Sequence, residues 1–139
     1  MSTKISRHFT LKEALYLPPW NREATVSDGL TPEILESLTD LFSRLDTIRD
    51  HFASPITVHC AFRPLAYNTL VKGAKKSAHL LGKACDFSVK GISCDDVRKE
   101  ILALGYLDLL DLRMEDLPGS NWVHIDTAPP GPSGRFFPV

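Results

Sequence analysis

Apolar and polar positions along this chain alternate with two different periods. From Ile34, the residues Leu38, Leu41, Leu45, Ile48 and Phe52 recur every three or four positions. That spacing is one stripe on a helix of about six turns. Thr31-Pro32-Glu33 opens it with a hydroxyl cap, a proline at the first helical position and an acid in the first turn. This helix is the expected main packing element. Pro55 to Cys60 is rich in β-branched residues and reads as a strand. Arg63-Pro64 ends it, and Leu65 to Val71 suits a short helix. Ala84 to Val89 reads as a second strand. Ser93-Cys94-Asp95-Asp96 has a capping-box pattern, with Val97, Ile101 and Leu104 continuing as a helix to Gly105. Leu107 to Met114 is expected as a strand, although Asp108 and Asp111 interrupt its apolar character. Leu117 to Ser120 supplies a turn, and Trp122 to Asp126 the returning strand of a hairpin.

The two ends are less regular. Thr10 to Glu13 has the capping-box pattern of a short helix, with Phe9 placed as a hydrophobic staple. Pro18 to Gly29 holds two prolines, Trp20, Asn21 and Gly29, and reads as an irregular surface loop. Residues 129–139 are rich in proline and glycine and are expected to run extended over the surface. The order of elements predicts one α+β domain over residues 1–139, with helices on one side of a small antiparallel sheet.

Composition narrows the function classes. A chain of 139 residues with 43% hydrophobic and 24% charged residues is long enough for one sizeable core. Its net charge of -1 argues against a nucleic-acid binder, which usually carries a basic excess. Lys72, Lys75, Lys76 and Lys83 form the nearest thing to a basic cluster and read as a solvated loop. No run approaches the ~18 apolar residues of a membrane span. The polar opening from Met1 to Thr10 lacks the apolar core of a secretory signal, so the expectation is synthesis and retention in the cytoplasm unless other means export or release the protein. Cys60, Cys85 and Cys94 are odd in number and show no CxxC spacing, which points to free thiols in a reducing compartment.

The chemistry concentrates in Ser77-Ala78-His79-Leu80-Leu81-Gly82-Lys83-Ala84-Cys85-Asp86, answered by Trp122-Val123-His124-Ile125-Asp126. His79, Asp86 and His124 make a three-ligand set for a divalent metal. Imidazole and carboxylate suit zinc, and three protein ligands leave a fourth position for water. Each residue alone has a plainer reading, as a loop histidine, a turn acid or a satisfied core histidine; their combination favours the metal. On a strand, Trp122, His124 and Asp126 share one face. Cys85 as a fourth ligand is disfavoured, because neighbours on a strand point to opposite faces.

Ser77-x-His79-x-x-Gly82-x-Ala84-x-Asp86 with Trp122-Val123-His124 downstream resembles the zinc D-Ala-D-Ala carboxypeptidase family. That family also includes phage L-alanyl-D-glutamate endolysins, vancomycin-resistance dipeptidases and the hedgehog signalling domain. The resemblance extends over Phe9 to Glu13, over Ile48 through Val58, and over Ala61-Phe62-Arg63-Pro64 to Asn68, which looks like the family's Ser-Gly-Tyr-Arg segment. Gly73-Ala74 looks like its glycine-rich approach to the first ligand, and Gly82 a place where the backbone passes close to the metal loop.

What the resemblance implies is a zinc (Zn2+) peptidase acting on a bacterial peptidoglycan stem peptide, at D-Ala-D-Ala or an L-Ala–D-Glu type of bond. His79, Asp86 and His124 match the zinc ligands. Arg63 matches the arginine that holds the developing oxyanion, and Ser77 a residue that binds the substrate's terminal carboxylate. Many members carry an acid three residues before the last histidine, where this chain has Asn121. The small phage members place the acid at the end of the preceding strand. Glu115 matches that position best, with Asp116 and Asp111 next, and Asp126 is expected to orient His124. Ala61-Phe62 in place of Gly-Tyr, and Cys85 in place of alanine, are further departures. The likeness to small members points to a phage or prophage lysin or a tail-borne wall-piercing enzyme. The other reading is a zinc-stabilised binding or virion structural module without catalysis, which the missing acid at 121 favours.

Overall fold

The computed structural model describes residues 3–138; Met1, Ser2 and Val139, at the ends of the polar opening and the tail, lie outside the described residues. The chain forms α1 (Leu11–Leu15), a two-residue antiparallel pair β1 (Tyr16–Leu17) and β2 (Arg22–Glu23), and the long helix α2 (Pro32–Phe52). Next come β3 (Ile56–Cys60), α3 (Leu65–Leu70), β4 (Ala84–Val89), α4 (Cys94–Ala103) and the single turn α5 (Tyr106–Leu109). The last elements are β5 (Arg113–Asp116), β6 (Val123–Asp126) and β7 (Phe136–Pro138).

The helix starts are set by side chains. Thr31 accepts the Ile34 N–H and Pro32 follows it, so α2 begins where the sequence places it. Ser93 accepts the Asp96 N–H at the start of α4, and Thr10 and Glu13 cap α1 reciprocally. Phe9 packs on Phe42 of α2, with ring centroids 5.2 Å apart. Leu38, Leu41, Phe42, Leu45 and Ile48 are fully buried along α2, each contributing about 1.5–3 kcal/mol of burial. Asp46, also buried on α2, accepts the backbone N–H groups of Arg7 and His8 and the Ser6 hydroxyl, which ties the opening segment to the helix.

Five strands form one sheet in the order β3-β4-β6-β5-β7. Alternation splits each strand. Cys85, Phe87 and Val89 of β4, Val123 and Ile125 of β6 and Met114 of β5 join the buried apolar core, against which α2 and α4 pack. Asp86, His124 and Asp126 take the other face, where they are buried but polar. The domain is α+β as expected, with local differences in three places.

Residues 107–112 are not a strand. Leu107 and Leu112 reach the core while Asp108, Leu109 and Asp111 stay exposed, and a turn of helix followed by Asp111 at φ 51° achieves this. A short apolar run fits either period, and here the helical one prevails. The C-terminal segment, expected to run extended over the surface, joins the sheet at its end. Phe136–Pro138 pairs parallel with β5, the one parallel pairing in an otherwise antiparallel sheet of the described residues. Within Pro18 to Gly29, expected as an irregular loop, Arg22–Glu23 pairs with Tyr16–Leu17 around a turn at Pro18–Trp20, and Trp20 packs edge-on against Tyr67.

Candidate metal centre

The sheet register brings the polar face together. Asp86 lies directly opposite His124 on β6 and opposite Cys60 on β3, where the ladder slips at a bulge after Val58. His79 comes from outside the sheet, on a tight turn over Ala78–Leu81. Ser77 caps that turn by accepting the His79 N–H, and Gly82 ends it at φ 69°. A Cβ on Gly82 would lie 2.9 Å from Ile34 O and Ile34 Cγ2. Its close approach is therefore to helix α2, rather than to the metal loop as expected from sequence.

Side-chain nitrogens or oxygens of His79, Asp86 and His124 lie within 4.8 Å of one another, and all three residues are buried. The hydrogen bonds around them fix what each atom can offer. His79 Nδ1 lies 2.6 Å from Ala61 O, a group that only accepts, so Nδ1 carries the hydrogen. His79 Nε2 then faces Asp86 Oδ1 at 3.3 Å. His124 Nε2 donates to Asp126 Oδ2 at 2.9 Å, and its Nδ1 lies 2.8 Å from Asp86 Oδ1. With neutral rings, two imidazole lone pairs and a carboxylate oxygen would converge with no hydrogen between them. Such a cluster calls for a cation, either a proton or a metal ion. The donor set thus fits a divalent metal, and Cys85 contributes nothing to it, being buried on the opposite face.

The proton alternative is visible in the electrostatics. Burial opposes charge on His124, but hydrogen bonds to Asp126 and Asp86 outweigh it and push the imidazole up to about 9. Burial also opposes ionisation of Asp86, yet the hydrogen bonds from His124 and His79 hold its carboxyl well below the usual carboxylate range. In the metal-free protein, the raised His124 value stabilises the fold fully below pH ~6.5, and this contribution is lost as pH rises through about 9. A metal at Nδ1 must displace that proton. Affinity for a divalent metal should therefore rise steeply, by up to about tenfold per pH unit, between pH 6.5 and 9. Isothermal titration in buffers of different ionisation enthalpy should show proton release on binding.

Around this core the other predicted residues separate. Glu115 Oε1 lies 3.4 Å from His124 Nδ1. Asp111 is 73% exposed and paired with Arg135, and Asp116 is exposed, so neither meets the cluster. Asn121 is exposed at the rim. Arg63 is held by its backbone N–H to His79 O, by Nε to Cys60 Sγ at 3.4 Å, and by Nη2 to Asp86 Oδ2 at 3.3 Å. Ser77 is occupied as a turn cap, the plain role open to it from sequence.

A cavity of about 340 Å3 beside the centre is lined by His59, Arg63, Asp86, Asn121 and Trp122. His59 and Arg113 were not singled out by sequence. His59 sits on β3 with its Nε2 2.8 Å from Ser88 Oγ, and Arg113 pairs with both Asp126 oxygens at 2.7 and 2.9 Å. The alternation of Arg113 with Glu115 on a strand opposite His124 was the available signal for Arg113.

Gly73 shapes the place of Arg63. A Cβ there would fall 2.1 Å from Asn68 Oδ1 and 3.1 Å from Arg63 Nη1. Asn68 is buried and held by its Nδ2 donating to Ala74 O, so it cannot simply turn away. Gly73→Ala should displace Asn68 and Arg63 and lower any turnover at this centre about tenfold or more while metal affinity stays near wild type. Steady-state kinetics alongside a chelator competition would check the split.

Two histidines and an aspartate on one sheet face, with a glutamate and an arginine at the edge of an open cleft, form the donor set used by metallohydrolases. A sequence-family model described as peptidase M15 matches residues 8–126, and the chain belongs to that family. It is also 33% identical over 111 residues to the peptidoglycan L,D-endopeptidase MepK of Escherichia coli (strain K12) and to the protein of the same name in Shigella flexneri, covering 73% of this chain. The chain spans about half the length of these curated relatives, 53% in each case. Among the described residues, no helix is long and apolar enough to cross a membrane.

Proposed function

We propose that this protein is a zinc-dependent peptidase that hydrolyses a peptide bond in the stem peptides of bacterial peptidoglycan. The observation that carries the reading is the meeting of His79, Asp86 and His124 beside Glu115 and Arg63, within a chain of the peptidase M15 family. Of the two linkages that the sequence suggests, the name of the relatives favours one joining an L to a D residue over D-Ala-D-Ala.

His79 Nε2, Asp86 and His124 Nδ1 would hold the zinc. The chemistry that zinc supplies when bound is Lewis acidity toward water and the scissile carbonyl. Glu115 takes the proton of the attacking water and returns it to the leaving amine. Arg63, permanently charged and planar, faces the carbonyl oxygen as negative charge develops on it. Asp126, clamped by Arg113, keeps the hydrogen of His124 on Nε2 and so leaves Nδ1 for the metal. Ser77 sits at the entry to the turn of His79 and would meet the substrate's carboxylate.

The competing reading is a zinc-stabilised module without catalysis, prompted by Asn121 where an acid is frequent. The position of Glu115 supports the enzyme instead. Zymography on purified murein decides between them. Clearing by the wild-type protein loaded with zinc, absent from Glu115→Gln, is expected; no clearing by wild type at verified zinc occupancy would leave the binding module. Action on the cell wall follows from this substrate, and a phage or prophage lysin is the delivery route suggested by the likeness to small members.

A further inference from the structure

The row of residues that carries the centre does not stop at Glu115. Across the polar face of the sheet run Cys60, Asp86, His124, Glu115 and Phe137, the last by the parallel register Glu115↔Phe137. Phe137 lies beyond the span matched by the family model, in the segment that sequence reads as extended over the surface. Its ring receives the Arg113 guanidinium at 4.1 Å from the centroid, and lies 6.3 Å from the His124 ring, edge to face. Arg113 in turn makes two bonds to Asp126, whose Oδ2 takes the His124 hydrogen.

We infer that the C-terminal strand is part of the active site, with Phe137 a positioning residue that acts on His124 through Arg113 and Asp126. A guanidinium on an aromatic face is attracted by the ring quadrupole, more strongly where water is excluded. Arg113 needs this second support, because its fork must stay in the plane of the Asp126 carboxylate to make both bonds. Asp126 in turn sets which nitrogen of His124 is left for the metal. The strand itself is well fastened: Met114 N–H donates to Arg135 O at 2.7 Å, and the Arg135 side chain reaches Asp111 Oδ1 at 2.8 Å and Leu112 O at 3.3 Å. Phe137 is thus presented by anchored backbone, and removing its ring leaves those ties in place.

This inference rests on the zinc reading above for one of its two tests. Zinc affinity, measured by competition with a chromophoric chelator, should fall about three- to tenfold in Phe137→Ala. That is less than the 10–100-fold typical of a direct hydrogen-bond partner of a ligand, since Phe137 acts two contacts away. Phe137→Leu, which keeps apolar cover but has no ring, should fall similarly. Phe137→Tyr should retain wild-type affinity. The second test needs no metal: the His124 imidazole N–H resonance of the metal-free protein should move in Phe137→Ala and Phe137→Leu and stay in Phe137→Tyr. Wild-type affinity and an unmoved resonance in Phe137→Ala would overturn the inference, as would equal losses in all three variants. A wild-type protein that takes no zinc would sink the peptidase reading, while the resonance would still decide the role of Phe137.

Discussion

Glu115→Gln should lose about 10²- to 10⁴-fold in peptide hydrolysis while folding normally and keeping its zinc. The substitution preserves shape but removes the carboxylate that would accept a proton at that place. The Glu115 side chain is 21% exposed on β5 with Oε1 3.4 Å from His124 Nδ1, close enough to serve a water held at the centre. Asp111→Asn and Asp116→Asn should remain near wild type, because Asp111 is engaged with Arg135 and Asp116 faces solvent. Kinetics on a stem-peptide substrate, with metal content verified for each variant, would check this. A Glu115→Gln protein with wild-type turnover would return the proton-transfer role to another group.

Removing the metal should have the largest effect on stability. The three ligands come from a turn before β4, from β4 itself and from β6, and an ion among them ties these segments together. At a free zinc concentration about a thousand times the dissociation constant, binding adds about 4 kcal/mol to the folded state. For a chain of this size that corresponds to a fall in Tm on the order of 10 °C on chelation. His124→Ala should show the lower Tm even with zinc present, and chelator should shift it little further. Differential scanning calorimetry with and without chelator, on protein of known metal content, measures both. An unchanged Tm after verified metal loss would count against the ligand set.

Much of the fold could be read from the chain because its local signals agree with the global packing. Thr31-Pro32 and the apolar stripe of α2, Ser93 before α4, and Thr10 with Glu13 each start the helix that the structure shows. The stretch from Leu107 to Leu112 misled because six residues cannot distinguish a buried turn of helix from a strand. The C-terminal strand was illegible for a different reason. Its pairing with β5 is between backbone groups, and proline and glycine on either side of Phe136-Phe137 signal only that no helix forms. At the centre, the three residues that the spacing brings forward, His79, Asp86 and His124, lie together in the structure. Arg113 and Phe137 depend on register: alternation puts Arg113 on the face of Glu115, but only the pairing of Arg113 with Asp126 brings its guanidinium to that carboxylate. The role proposed for Gly82 also changed, from the metal loop to the packing of that loop on Ile34 and Leu38.

The central claim is that the zinc-loaded protein cuts a peptide bond in peptidoglycan. Mass spectrometry of muropeptides after digestion of purified murein tests it most directly. Stem peptides shortened at a single bond between an L and a D residue, each cut adding one water, are expected with wild type and not with Glu115→Gln. Intact stem peptides after digestion with wild-type protein at full zinc occupancy would contradict it.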